Sequence, residues 1–109
     1  MDQSASTEAV ERFLEFEEQS DRALEMVEAD SSASRVLVAV VQELSRKAKK
    51  AHTPVTDGNP ATMREAIIEV EQAADSAKVA AEADGGVHEE TRQAVLDAHL
   101  TICQLKAKL

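Results

Sequence analysis

The chain has 109 residues with 21 acidic and 12 basic side chains, a formal charge of −9, two phenylalanines as its only aromatics, and one cysteine. That length suits a single domain over 1–109, and a lone Cys103 excludes an intrachain disulfide. The acidic balance works against nucleic acid and anionic membrane as partners.

The charge is unevenly spread. Residues 1–30 carry −8, residues 31–52 carry +4, residues 53–86 carry −5, and residues 87–109 balance. Met1 to Glu11 has neither a basic nor an apolar stretch, so a signal peptide is not expected. The longest apolar run, Val36 to Val41, falls far short of the roughly 20 residues that span a bilayer. A reduced cysteine and no membrane span fit a cytoplasmic location.

Glycine and proline cluster at Pro54–Pro60 and at Gly85–Gly86, and a polar break falls at Asp30–Ser34. Four segments remain. The first helix is expected over about 7–29. Val10, Phe13, Leu14, Leu24 and Val27 recur at helical spacing, and Ser4, Ser6 or Thr7 is placed to cap its start. Six polar residues, Glu17 to Arg22, interrupt the stripe, and one continuous helix is favoured there.

The second helix is expected over about 34–51. Val36 to Val41 is apolar on every side, Leu44 and Ala48 continue the pattern, and the length argues for a buried helix over a strand. Arg46, Lys47, Lys49 and Lys50 crowd its last turns. The third helix, about 60–83, opens on Asn59-Pro60, a cap followed by proline at the first helical position. Met63, Ala66, Ile67, Val70, Ala73, Ala74, Ala77, Ala80 and Ala81 mark its apolar face, and Gly85 is placed to end it in a left-handed conformation.

The fourth helix, about 87–108, carries two stripes. Val95, Ala98, Ile102, Leu105 and Leu109 form one; Leu96, Leu100 and Cys103 form the other. Four helices of similar length on short connections predict an all-α fold, a four-helix bundle running antiparallel, up-down-up-down. No internal repeat is apparent.

Three groups of residues stand out. Arg46, Lys47, Lys49 and Lys50 make a candidate basic patch, which the dipole at a helix C-terminus also explains. No aromatic platform accompanies it, so nucleic-acid binding is the weakest alternative. Glu15, Glu17, Glu18 and Asp21 make a candidate acidic surface, without the glycine and alternate-position ligands of a calcium loop and without Glu-x-x-His pairs. Leu96, Leu100 and Cys103 make a candidate partner interface, because an aromatic-poor core gains from burial against a second chain.

His52, His88 and His99 do not form a set. His99 and Cys103 are an i, i+4 pair that can meet on one helix face, but no oxyanion hole or cleft is indicated. Neither a metal nor a cofactor is expected, and no enzyme activity. Ala98-His99-Leu100 and Ala51-His52-Thr53 each resemble the opening of the motif of histidine phosphotransfer domains, which are four-helix bundles of similar size. That family expects a Lys and a Gly just after the histidine, whereas Leu100, Thr101, Ile102 and Cys103 follow His99, and Pro54 closely follows His52. The sequence therefore points first to a non-enzymatic protein–protein interaction module, such as an adaptor, regulator or secretion-type chaperone, with a homodimer as one form. Phosphotransfer through His99 is the alternative.

Overall fold

The structure, a computed structural model, describes residues 2–109, and side chains from Thr7 onward. Four helices follow in chain order: α1 Asp2–Ala29, α2 Arg35–Thr56, α3 Pro60–Ala83 and α4 Glu89–Ala107. There is no strand among the described residues. α1 packs on α2 and α4, and α3 packs on α2 and α4, giving a helical bundle that is 47 Å long and 19 by 18 Å across. Those cross-dimensions suit two helices by two at interaxial distances of about 8–10 Å.

The buried positions explain the packing. In α1 they are Ala9, Phe13, Phe16, Ser20, Ala23 and Val27; in α2, Leu37, Val41, Leu44, Ala48, Ala51 and Val55. In α3 they are Met63, Ile67, Val70, Ala74, Ala77 and Ala81; in α4, Thr91, Val95, Ala98, Ile102 and Leu105. Apart from Ser45 and Thr101, which are buried beside this series, spacings of four and three alternate, which is the 3.5-residue period of coiled-coil seams. This period carries α1 through Glu17 to Arg22 without a break, with Ser20 fully buried on the seam. It also corrects the predicted stripe. Leu14 is 41 % exposed while Phe16 is fully buried, and Phe13 and Phe16 pack with ring centroids 5.7 Å apart. Val36 is 66 % exposed, so Val36 to Val41 is not buried on every side.

The two halves of the chain repeat. The shift that carries Asp30 to Asp84 also carries each core residue of α1, from Ala9 to Val27, onto a core residue of α3, from Met63 to Ala81. It carries Leu37, Val41, Leu44, Ala48 and Ala51 onto Thr91, Val95, Ala98, Ile102 and Leu105. Outside the core it matches Glu11 with Glu65, Glu15 with Glu69, Glu17 with Glu71, Asp21 with Asp75, and Glu28 with Glu82. The expectation of no repeat is overturned. The repeat lies in seam register and surface acids, while the core side chains differ in size between the halves.

The turns repeat as well. Asp30, just past α1, accepts the backbone N–H of His88, the residue before α4, at 3.0 Å and that of Ser32 at 2.9 Å. Asp84, just past α3, accepts the backbone N–H of Ser34, the residue before α2, at 2.8 Å, and those of Gly86 and Val87 at 3.0 and 3.1 Å. Each aspartate thus ties the end of one helix to the start of a helix in the other half of the chain. Arg92 adds to this end of the bundle, donating to the carbonyls of Ala81 and Asp84 at 3.0 and 2.7 Å.

Helix bounds differ from expectation in three places. α1 starts at Asp2, ahead of the proposed caps, since no glycine or proline opposes it. α2 runs on to Thr56 through Pro54, because a proline this near the end forfeits one hydrogen bond and the Thr56 hydroxyl donates back to His52 O at 2.8 Å. α4 begins at Glu89, with His88 as its N-cap. Gly85 is not left-handed. Asp84 ends α3 in an extended conformation, and the positive φ, +76°, belongs to Gly58 after α2.

Candidate functional site

Two i, i+4 pairs face each other across the α3–α4 seam. Glu71 and Asp75 each follow a core residue of α3, Val70 and Ala74; His99 and Cys103 each follow a core residue of α4, Ala98 and Ile102. Residues beside the seam turn toward the neighbouring helix, so the pairs meet. His99 Nε2 lies 2.8 Å from Asp75 Oδ1 and 3.3 Å from Cys103 Sγ. Cys103 Sγ also approaches Glu71 Oε2 at 3.8 Å, and Lys106 Nζ holds Glu71 at 3.2 Å. The Glu71 and His99 side chains are 15 % and 17 % exposed, whereas Asp75 is open to solvent.

This geometry does not make a cysteine nucleophile. Burial pushes the Cys103 thiol up, and the Glu71 and Asp75 carboxylates push it further. A reactive cysteine needs the opposite shift. Asp75 also shares Nε2 with the thiol, instead of orienting the ring from its far nitrogen. Helical spacing marks the His99–Cys103 pair in the sequence but not Glu71 and Asp75. The available signal was a second i, i+4 pair of donors on the adjacent helix.

The other histidines lie apart, each beside a carboxylate. His52 Nδ1 is 2.8 Å from Glu17, and His88 Nδ1 is 2.9 Å from Asp30. The four acids of the proposed surface are not alike. Glu17 is only 19 % exposed and faces α2, Glu15 lies 3.5 Å from Arg12, and Glu18 and Asp21 face solvent.

The basic patch sits well before the end of α2, because that helix runs on to Thr56. It is largely neutralised. Lys47 and Lys50 donate to Glu69 at 2.6 and 3.3 Å, and Arg46 pairs with Glu43 on its own helix. Hydrogen bonds from these bases hold the Glu69 and Glu43 carboxyls below their usual range, and Glu69 raises Lys47. Lys49 faces solvent.

Leu96 and Cys103 are half-buried and share a line along α4 with His99, while Leu100 is 55 % exposed. A larger apolar feature lies at the other end of the bundle from the aspartate turns. A cleft of about 580 Å³ opens between the start of α1, the start of α3 and the end of α4. Ala9, Met63, Leu105 and Leu109 line it, and among the described residues Arg12, Arg64 and Lys108 outnumber Glu8 at its edge.

The chain matches no family model, no curated protein and no solved structure. Among the described residues no helix is long and apolar enough to cross a membrane.

Proposed function

We propose that the chain is a non-enzymatic protein-interaction module, an antiparallel up-down-up-down four-helix bundle that receives a partner's amphipathic helix in its end cleft. The order of side-chain pairs supports the antiparallel arrangement. Along α2, Gln42 meets Glu28 and His52 meets Glu17; along α4, His99 meets Asp75 and Lys106 meets Glu71. In each case the partner number falls as the helix number rises.

The cleft carries the functional reading. It is apolar at its floor, within the size range of about 300–1,000 Å³ that accepts anchoring side chains, and edged, among the described residues, by three bases to one acid in a chain of charge −9. Helix-in-groove recognition uses such a floor for apolar anchors at i, i+3 or i+4, and i+7. A partner helix with acidic flanks is the complementary form. The free Cys103 suits a reducing compartment such as the cytoplasm.

Phosphotransfer through His99 has less support. Its Nε2 faces Asp75, and the neighbouring Glu71 adds a second negative charge where a phosphoryl group would have to approach.

The test is fluorescence polarisation with a labelled synthetic helix bearing leucine anchors and glutamate flanks. Saturable binding is expected, with at least tenfold weakening in Arg64→Glu and in Leu109→Asp, both exposed positions. No binding, or binding indifferent to both changes, contradicts the proposal. Light scattering run alongside separates a cleft filled by a second copy of the chain from one left free in a monomer.

A further inference from the structure

We infer that Glu71, Asp75, His99 and Cys103 form a binding site for a divalent transition metal of the zinc class. Three of these donors, from Asp75, His99 and Cys103, lie within 4.8 Å of one another. The separations from His99 Nε2 are 2.8 Å to Asp75 and 3.3 Å to Cys103, and Cys103 to Glu71 is 3.8 Å. Tetrahedral zinc, with bonds of about 2.0–2.3 Å, spaces its donors roughly 3.3–3.7 Å apart. These three separations lie within about half an ångström of that spacing, and side-chain rotation that brings Asp75 toward Cys103 and Glu71 toward His99 closes the site on an ion.

Without an ion the donors are imperfectly satisfied. One ring nitrogen faces both Asp75 and Cys103, and it serves only one of them at a time. When Nε2 carries the proton it donates to Asp75, and the thiol is left with long approaches to Glu71 at 3.8 Å and to His99 Nδ1 at 3.9 Å. A cation at the shared point engages the ring nitrogen, the sulfur and the Asp75 carboxylate together, and Glu71 joins from beside the sulfur.

The internal repeat supplies an independent comparison. Glu17 and Asp21 occupy the places of Glu71 and Asp75 in the first hairpin, and Ser45 and Lys49 occupy those of His99 and Cys103. His52 stands where Lys106 stands. The first hairpin therefore sets a lysine at the register where the second sets a thiol. Lys49 faces solvent and Glu17 is met by His52, whereas Glu71 and Asp75 face Lys106 and two metal donors, an imidazole and a thiol.

The donor set names the metal class. Imidazole and thiolate select zinc and its neighbours, and hard magnesium or calcium ions prefer sites built wholly of oxygen. Binding displaces one proton from the Cys103 sulfur, and nothing is oxidised or reduced. The ion's two positive charges and that of Lys106 then balance one thiolate and two carboxylates, with His99 neutral.

The test is titration of the full chain with Co²⁺, a spectroscopic substitute for zinc. One ion per chain is expected, with intense visible bands of four-coordinate cobalt and a near-ultraviolet thiolate-to-metal band. Cys103→Ser removes the near-ultraviolet band, His99→Ala weakens binding by about tenfold or more, and Lys49→Ala changes neither. A second measurement needs no variant: Zn²⁺ slows reaction of Cys103 with a thiol reagent by about tenfold or more, and Mg²⁺ does not. Absence of the thiolate band, absence of protection by Zn²⁺, or uptake that survives both Cys103→Ser and His99→Ala overturns the site.

Discussion

The Asp30 carboxylate accepts the backbone N–H of His88 at 3.0 Å, joining the end of α1 to the cap of α4 across the whole of α2 and α3. That N–H, with help from Ser32 and against the opposing effect of burial, lowers the Asp30 carboxyl from 3.8 to about 2. The folded-state value lies below the unfolded one. The contribution of Asp30 to stability is therefore whole above about pH 4 and is lost as pH falls toward 2. Asp84, lowered chiefly by the N–H of Ser34, acts in the same direction. The thermal midpoint, followed by circular dichroism, is expected to fall between about pH 5 and pH 2. Asp30→Asn should lower the midpoint at neutral pH and flatten its fall with acid. An equal fall in wild type and variant would remove Asp30 from the account.

Two buried hydroxyls, Ser20 Oγ on the seam and Ser45 Oγ beside it, have no hydrogen-bond partner. An unpaired buried hydroxyl costs about 1–3 kcal/mol, and alanine is also the better helix former. Ser20→Ala and Ser45→Ala should each raise stability in urea by about 1 kcal/mol. Destabilisation by either would mean that its hydroxyl has a role in the seam.

Phe13 and Phe16 are the largest residues in a core otherwise made of aliphatic and small side chains, and both are fully buried. Phe13→Ala should cost about 3–5 kcal/mol. That is a large share of the 5–15 kcal/mol typical of a whole domain. Urea unfolding should show the midpoint fall sharply; a loss under about 1 kcal/mol would place Phe13 outside the packed core.

Gly58 and Gly85 should respond oppositely to alanine. Gly58 has φ of +76°, so Gly58→Ala carries a strain of about 1 kcal/mol in a left-handed conformation. A Cβ at Gly85 meets nothing within 4 Å and φ is not positive. Gly85→Ala should be neutral or stabilise by about 0.4–1 kcal/mol. Paired thermal melts check both, and the reverse order would contradict the turn geometry.

The third helix was the most legible part of the fold, because Asn59-Pro60 and the break at Asp84–Gly86 mark both ends by local chemistry. The seam was harder to see. Ser20, Ser45 and Thr91 occupy buried positions that an apolar count skips, while exposed Leu14 and Val36 enter that count. Pro54 looked like a stop, yet it falls where the helix has only two residues left. The repeat hid behind substitutions such as Phe13 to Ile67 and Leu37 to Thr91, which keep register and change size. At the α3–α4 cluster, His99 and Cys103 were visible as a pair. Their facing acids became visible only once α3 and α4 were known to be neighbours.

The proposed interaction is tested most directly by mapping amide chemical shifts of the isotope-labelled chain during titration with the acidic, leucine-anchored helix. The account predicts saturable shifts centred on Ala9, Met63, Leu105 and Leu109, with the aspartate turns at Asp30 and Asp84 unmoved. Shifts centred instead on Leu96, Leu100 and Cys103, or none at any peptide concentration, would contradict it.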